Sequence, residues 1–138
     1  MLALLFHLLL LVPGPQSVDL IVTTTGEATG KVHVAVFATP EDFASDASLT
    51  GTVQPFTQPS TKLALDLPAA GTYVFAAFQD LNGNGKLDTN FLGVPTEPYG
   101  FTRTPPSKWR SPSFGEVATE IGDGAAVARI QLKTWKEY

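Results

Sequence analysis

The chain has 138 residues, of which 43% are hydrophobic and 16% charged, and its formal net charge is −4. This length and composition predict one folded domain rather than a disordered chain. The negative charge argues against a general nucleic-acid-binding protein, because such proteins are normally basic. The sequence contains no cysteine, so disulfides, zinc–thiolate sites and cysteine nucleophiles are excluded.

The beginning of the sequence is typical of a secretory signal peptide. An apolar run covers residues 2–12, and Pro13 and Pro15 follow it. A helix of this length would span about 16 Å, which is too short for a bilayer of about 30 Å. A buried N-terminal helix is the alternative, but the two prolines would end it at once. We therefore predict a signal peptide over residues 1–17, and a periplasmic or extracellular protein without a transmembrane segment after cleavage.

The first part of the predicted mature domain, which covers residues 18–138, contains two strand patterns. Residues 18–25 and 31–38 are rich in β-branched residues and are separated by a glycine-containing turn, so we expect an antiparallel hairpin. A single helical turn should follow, with Thr39 as its N-cap and Pro40 at the first helical position.

Five further segments have strand character: residues 52–57, 61–67, 72–79, 115–121 and 125–132. The third of these is apolar on both faces, which indicates a central strand that is buried on both sides. About seven short strands and hardly any helix predict an all-β fold, namely an antiparallel β-sandwich of the transthyretin-like or immunoglobulin-like kind.

One connection in this sandwich, residues 80–114, is far longer than the usual four to six residues or so. Connections of this length are generally functional or disordered. We expect this one to be an ordered loop, because it carries large apolar and aromatic side chains that can pack on the sandwich: Phe91, Leu92, Tyr99, Phe101 and Trp109.

The start of this long loop has the spacing of a calcium-binding loop. Oxygen-bearing groups recur at alternate positions, and Gly85 permits a sharp turn. The predicted ligands are the Asp80, Asn82, Asn84 and Asp88 side chains and the Lys86 carbonyl group. The position at which such loops carry a bidentate glutamate is Phe91 here, although Glu97 lies close enough in sequence to fold back. The alternative is turn chemistry alone, because Asn-Gly pairs favour tight turns.

A second candidate site combines aromatic and basic residues in an otherwise acidic protein. Its members are Tyr99, Arg103, Trp109 and Arg110. Aromatic faces and guanidinium groups together would suit a small anionic or carbohydrate ligand. The alternative is a loop that is anchored by its aromatic residues and has solvated charges.

Other chemistries have weaker support. His33 is expected to be a half-exposed strand residue rather than a metal ligand, because the predicted mature chain has no second histidine. No nucleophile elbow, phosphate-binding loop or metalloprotease motif is present in the sequence. An acid–base pair among the carboxylates would be the basis of a hydrolase, and the candidates are Asp80, Asp88, Glu97 and Glu116.

Four segments together resemble a known family of exported bacterial proteins, the domain of unknown function 2141. They are residues 67–73 (Leu-Pro-Ala-Ala-Gly-Thr-Tyr), residues 78–95, residues 97–101 (Glu-Pro-Tyr-Gly-Phe) and residues 111–114 (Ser-Pro-Ser-Phe). The resemblance covers nearly the whole predicted mature chain. It implies a signal peptide, a periplasmic or extracellular location and a transthyretin-like sandwich, and it implies no established activity.

We therefore expect an exported, non-enzymatic binding or accessory module, with calcium as a structural ion in the loop that begins at Asp80. Its partner would be a small ligand or an envelope protein. One alternative is a purely structural protein of the cell envelope, in which the long loop only covers a sheet edge. The other alternative is the carboxylate-dependent hydrolase.

Overall fold

The computed structural model describes residues 14–138. Most of the predicted signal peptide lies outside these residues, so its cleavage stays a prediction. Within residues 14–138 the chain forms eight strands, two short helices and a final 3-10 turn. They are β1 (Gln16–Thr24), β2 (Lys31–Phe37), α1 (Pro40–Ala44), β3 (Thr50–Pro55), β4 (Ser60–Leu67), β5 (Gly71–Asp80), β6 (Tyr99–Phe101), α2 (Phe114–Val117), β7 (Thr119–Ile121), β8 (Ala126–Leu132) and the 3-10 turn Trp135–Glu137.

The strands form two sheets, which confirms the predicted all-β sandwich. The smaller sheet has the order β4-β1-β8, with β1 antiparallel to β4 and parallel to β8. The larger sheet has the order β3-β2-β5-β6, and β7 pairs with the first residues of β5. No helix within the described part of the chain is long and apolar enough to cross a membrane.

The core between the two sheets follows from the alternation of side chains along each strand. In β4 the leucines at positions 63, 65 and 67 are buried while their neighbours face solvent, as the sequence predicts. β1 and β2 bury valine and leucine in the same way, and Phe56 and Phe75 are fully buried. Removing this apolar surface from water is the main stabilising contribution to the fold.

The predicted hairpin between the first two strands is wrong. β1 and β2 lie in different sheets, because β1 is flanked by β4 and β8, whereas β2 is flanked by β3 and β5. The connection between them therefore crosses from one sheet to the other. At its end Gly30 has a φ of +71°, and a Cβ there would lie 2.2 Å from the Asp80 carbonyl oxygen. Only glycine fits this crossing.

Two further differences concern the long loop and the segment after it. The loop is interrupted by β6, a strand too short for the sequence pattern to reveal. The predicted strand over residues 115–121 begins instead as α2, because the Glu116 carboxylate accepts a hydrogen bond from the Ser113 backbone N–H and stabilises a helical first turn. Strand pairing starts only at β7.

The helix α1 forms where it is predicted, and its N-cap is confirmed. The Thr39 hydroxyl accepts a hydrogen bond from the Asp42 backbone N–H at 3.1 Å. Both α1 and α2 pack on the outer face of the larger sheet, where Phe43 and Phe114 contact a second apolar cluster around Phe37 and Val74. The outer face of this sheet is therefore partly covered and partly open.

Candidate functional site

The open part of this outer face begins with a row of aromatic rings. The strand register places His33 of β2 opposite Phe78 of β5, and Phe78 opposite Tyr99 of β6. The His33 and Phe78 rings stack with their centroids 4.7 Å apart. Tyr99 stacks on Tyr138 at 4.9 Å, which fixes the third ring of the row. We call these three residues the ring row.

The next row of residues along the strands has mostly small side chains, so it rises less above the sheet than the ring row does. Ala35 lies opposite Ala76, and Ala76 lies opposite Phe101. Because two of these three side chains are single methyl groups, the surface of the sheet drops between the ring row and the aromatic cluster under α1. Phe43 of α1 contacts Phe37 and Phe101 edge to face, with ring centroids 5.2 and 6.2 Å away, and closes the far side.

The result is a groove of about 810 Å³ on the outer face of the larger sheet. Its floor is the alanine row, and its walls come from the ring row, the two helices and two parts of the long loop, residues 85–87 and 111–114. A concave, mainly apolar site of this volume with a few polar groups matches the sites at which proteins bind small molecules. We call it the outer groove.

Asp80 lies below one end of the outer groove and organises the loop. Its side chain is 1% exposed. One carboxylate oxygen accepts the Gly83 backbone N–H at 2.9 Å, and the other accepts the Gly85 N–H at 2.9 Å and faces His33 Nε2 at 3.1 Å. Burial raises the pKa of Asp80, but the bonds from Gly85, Gly83 and His33 outweigh burial and hold that pKa below its usual range.

The other predicted calcium ligands form a small cluster on the outside of the loop. The Asn82 and Asn84 side-chain amides each contact one oxygen of Asp88, both at 2.6 Å. The Asn82 side-chain oxygen accepts the Asn84 backbone N–H, and the Asn84 oxygen accepts the Lys86 N–H, both at 3.2 Å. Asp80 faces inward to its own bonds. Within residues 14–138 no three acidic, histidine or cysteine side chains gather as a metal site.

Glu97 does fold back to this loop, but it binds the backbone. Its side chain is buried, and its two oxygens accept the Leu81 N–H at 2.9 Å and the Asp88 N–H at 3.0 Å. The two amides lie near opposite ends of the loop. Glu97 therefore holds the loop closed, a role that the sequence spacing does not reveal.

The four residues of the predicted aromatic–basic site have separate local contacts. Arg110 forms a bidentate ion pair with Glu116, at 2.7 and 2.9 Å. The hydrogen bonds that Arg110 donates to Glu116, together with one from the Ser113 N–H, lower the pKa of Glu116 to about 2. Arg103 donates to the Ala118 carbonyl at 3.4 Å.

The two aromatic members of that predicted site, Tyr99 and Trp109, contact different groups. Trp109 is 79% exposed and meets Trp135 edge to face at 5.0 Å. Tyr99 belongs to the ring row and lines the outer groove, and burial raises its pKa. Of the four predicted residues, Tyr99 is the one that lines the outer groove.

The residues that shape the outer groove most, Ala35 and Ala76, are absent from the sequence-based candidates. Small side chains in apolar strands are common, so neither alanine stands out alone. Their juxtaposition depends on the register between β2 and β5, which the sequence pattern does not give. The Ser-x-x-Glu spacing from Ser113 to Glu116 is a signal that would have predicted the helix in the groove wall.

A family model supports the resemblance noted from the sequence. The model described as "Uncharacterized protein conserved in bacteria (DUF2141)" matches residues 21–129. No curated protein matches the chain, and no solved structure does. The matched range includes the ring row, the alanine row, the loop that begins at Asp80 and both helices of the groove wall.

Proposed function

The chain belongs to the bacterial family DUF2141, and we propose that it acts as an exported, non-enzymatic binding module with its ligand in the outer groove. The groove itself, with its low alanine floor between two aromatic walls, is the observation that carries this proposal. Export is supported by the apolar run over residues 2–12. N-terminal sequencing of protein from periplasm and medium tests export: a start near Val18 supports it, and a full-length cytosolic protein contradicts it.

The composition of the groove favours binding over catalysis. Most of its lining is apolar, and its polar side chains are few. The carboxylate of Asp80 already accepts three hydrogen bonds, and Glu116 is held by Arg110, so these two candidates of the hydrolase alternative are engaged in structural contacts. A site of this kind suits a ligand with a large apolar body.

A neutral fluorophore tests the groove directly. N-phenyl-1-naphthylamine brightens in apolar sites, and we expect it to bind the wild-type protein. Ala35→Phe would fill the floor of the groove and should weaken this binding at least about tenfold. Ala64→Phe is the matched control, because Ala64 is exposed on β4 in the other sheet.

Melting temperatures of both variants establish that they are folded. If the fluorophore does not bind, or binds wild type and Ala35→Phe equally, the groove proposal is wrong. The purely structural role in the cell envelope would then be the better account of the protein.

We also propose that the loop holds calcium weakly, through Asn82, Asn84 and Asp88 with the Lys86 carbonyl group. The support is the convergence of the two amides on the Asp88 carboxylate at 2.6 Å. Rotating both amides by 180° exchanges the nitrogen and oxygen of each and gives up the bonds from the Asn84 and Lys86 N–H groups. The cluster then presents oxygens only, which are the ligands that calcium prefers. The single carboxylate of this set implies low affinity, since affinity depends on ligand charge.

Thermal unfolding in EDTA and then in millimolar calcium tests this ion. At about ten times the dissociation constant, which millimolar calcium reaches for a weak site, calcium should add roughly 1.4 kcal/mol to the free energy of unfolding. Asp88→Ala should abolish the shift, and Asp123→Ala in the exposed turn after β7 should retain it. Asp80→Ala is a poor probe, because Asp80 holds the loop backbone in any case. An equal response of wild type and Asp88→Ala would overturn the assignment.

A further inference from the structure

We propose that the ligand of the outer groove is an amphipathic monocarboxylate, with its carboxylate beside Lys86 and its apolar tail over the alanine floor. This inference rests on the proposed function, because it names the chemical class of ligand for the same groove. Three features carry it: a cation at one end, an acid at the other end and an apolar trough between them.

The cationic end is located by the hydrogen bonds of Asp80. One carboxylate oxygen of Asp80 contacts both His33 Nε2 and the Gly85 backbone N–H. His33 and Gly85 are therefore neighbours, and Lys86, which follows Gly85, is exposed at this same end of the groove and lines it. An ammonium group beside an apolar cavity attracts an anionic head group and leaves the tail free to enter.

The carboxylate of Asp80 does not cancel this attraction. Its side chain is 1% exposed, and its charge is offset by the Gly83 and Gly85 N–H groups and by His33. The surface that a ligand meets at this end is therefore made by the three rings of the ring row and the Lys86 ammonium group.

The opposite end of the groove, beside α1, carries the opposite charge. β2 runs from His33 at the ring row to Phe37, and α1 follows, so the α1 side of the groove is distant from Lys86. Asp46, just after α1, lines this side and disfavours a second carboxylate there. Phe43 contacts Phe114 at 6.4 Å between ring centroids, which gives the tail an aromatic wall.

A competition assay separates head-group recognition from binding in the groove. The protein is loaded with N-phenyl-1-naphthylamine, and dodecanoate and dodecanol are compared as displacing ligands, since they share the same tail. We expect dodecanoate to bind at least about tenfold more tightly than dodecanol, because charge-assisted hydrogen bonds are stronger than neutral ones. Lys86→Gln should remove that preference, so that dodecanoate and dodecanol displace the fluorophore equally. Lys62→Gln on β4, which makes the same charge change on the other sheet, should retain the preference.

Each outcome decides a different question. Equal displacement by acid and alcohol overturns the carboxylate inference but upholds the groove. A preference for the acid that survives in Lys86→Gln also overturns the inference, because the carboxylate then lies elsewhere. If the fluorophore does not bind, or if Ala35→Phe binds it as well as wild type, the inference and the proposed function both fail.

Discussion

Asp80 is the last residue of β5, and its side chain links this strand to the loop that follows and to the groove above it. Its carboxylate bonds two loop amides and His33, so a single buried charge fixes the backbone at Gly83 and Gly85 and the ring that lines the groove. The oxygen spacing in the sequence identifies this residue as important. It assigns Asp80 to a cation, however, because the pattern does not show that the side chain points inward to backbone donors.

The lowered pKa of Asp80 predicts how its contribution depends on pH. A carboxyl group whose pKa is lower in the folded state stabilises the protein above its unfolded pKa, and this stabilisation is lost as the pH falls through the folded pKa. Asp80→Asn should therefore lower the free energy of unfolding at about pH 7, and the difference from wild type should shrink below about pH 4. Urea unfolding at both pH values measures it, with Asp123→Asn as control. A difference that is constant with pH would contradict this assignment.

Glu97 holds the backbone of a whole segment, residues 81–88, in place. The loop from Leu81 to Asp88 has no strand or helix of its own, and the buried Glu97 carboxylate accepts an N–H from each of these two residues. Residues 85–87 form part of the wall of the outer groove. The shape of that wall therefore depends on Glu97, which lies outside residues 81–88. The position of Glu97 in the sequence allows it to fold back but does not show which groups its carboxylate contacts.

Replacing Glu97 tests this dependence. Glu97→Ala removes two charge-assisted hydrogen bonds and should cost about 2–4 kcal/mol of the free energy of unfolding. Hydrogen exchange of the Leu81 and Asp88 amides should accelerate well before the amides of β5 do. Glu120→Ala on β7, where the side chain is exposed, is the control and should change neither. Continued slow exchange of both amides in Glu97→Ala would show that other contacts hold the loop.

The secondary-structure elements were predictable to the extent that their signals are local. The alternation in β4 and the Thr39 cap of α1 depend on neighbouring residues, and both are confirmed. Pairing is not local: the connection from β1 to β2 is compatible with a hairpin or with a crossing between sheets, and packing of the whole core decides between them. The outer groove cannot be predicted from local signals either, because its floor depends on the register between β2 and β5.

The two sheets are joined by backbone hydrogen bonds where β6 meets the end of β8. Backbone hydrogen bonds of 3.0 Å join Tyr99 and Lys133 in both directions. A Cβ on Gly100 would lie 2.7 Å from the Gln131 carbonyl oxygen and 2.9 Å from a methyl group of Ile130. The absence of a side chain at Gly100 therefore allows the sandwich to close along this edge.

Adding one methyl group at this position tests the closure. Gly100→Ala should cost about 1–3 kcal/mol of the free energy of unfolding, since overpacking forces the backbone of β6 or β8 to move. Gly115→Ala in α2 is the matched control, because a Cβ there meets nothing within 4 Å. Chemical denaturation of both variants measures the difference. Equal stability of the two would mean that β6 and β8 separate easily.

The parallel pairing of β1 with β8 has a consequence for the order of events in the cell. Val18 pairs with Ala126, so the smaller sheet gains its third strand only after residues 126–132 have left the ribosome. Contacts between residues so distant in sequence make folding slow. For a protein exported as proposed, this late step would leave the sandwich incomplete during most of its synthesis. The same strand pairing that stabilises the finished sandwich thus delays its completion until β8 has been synthesised.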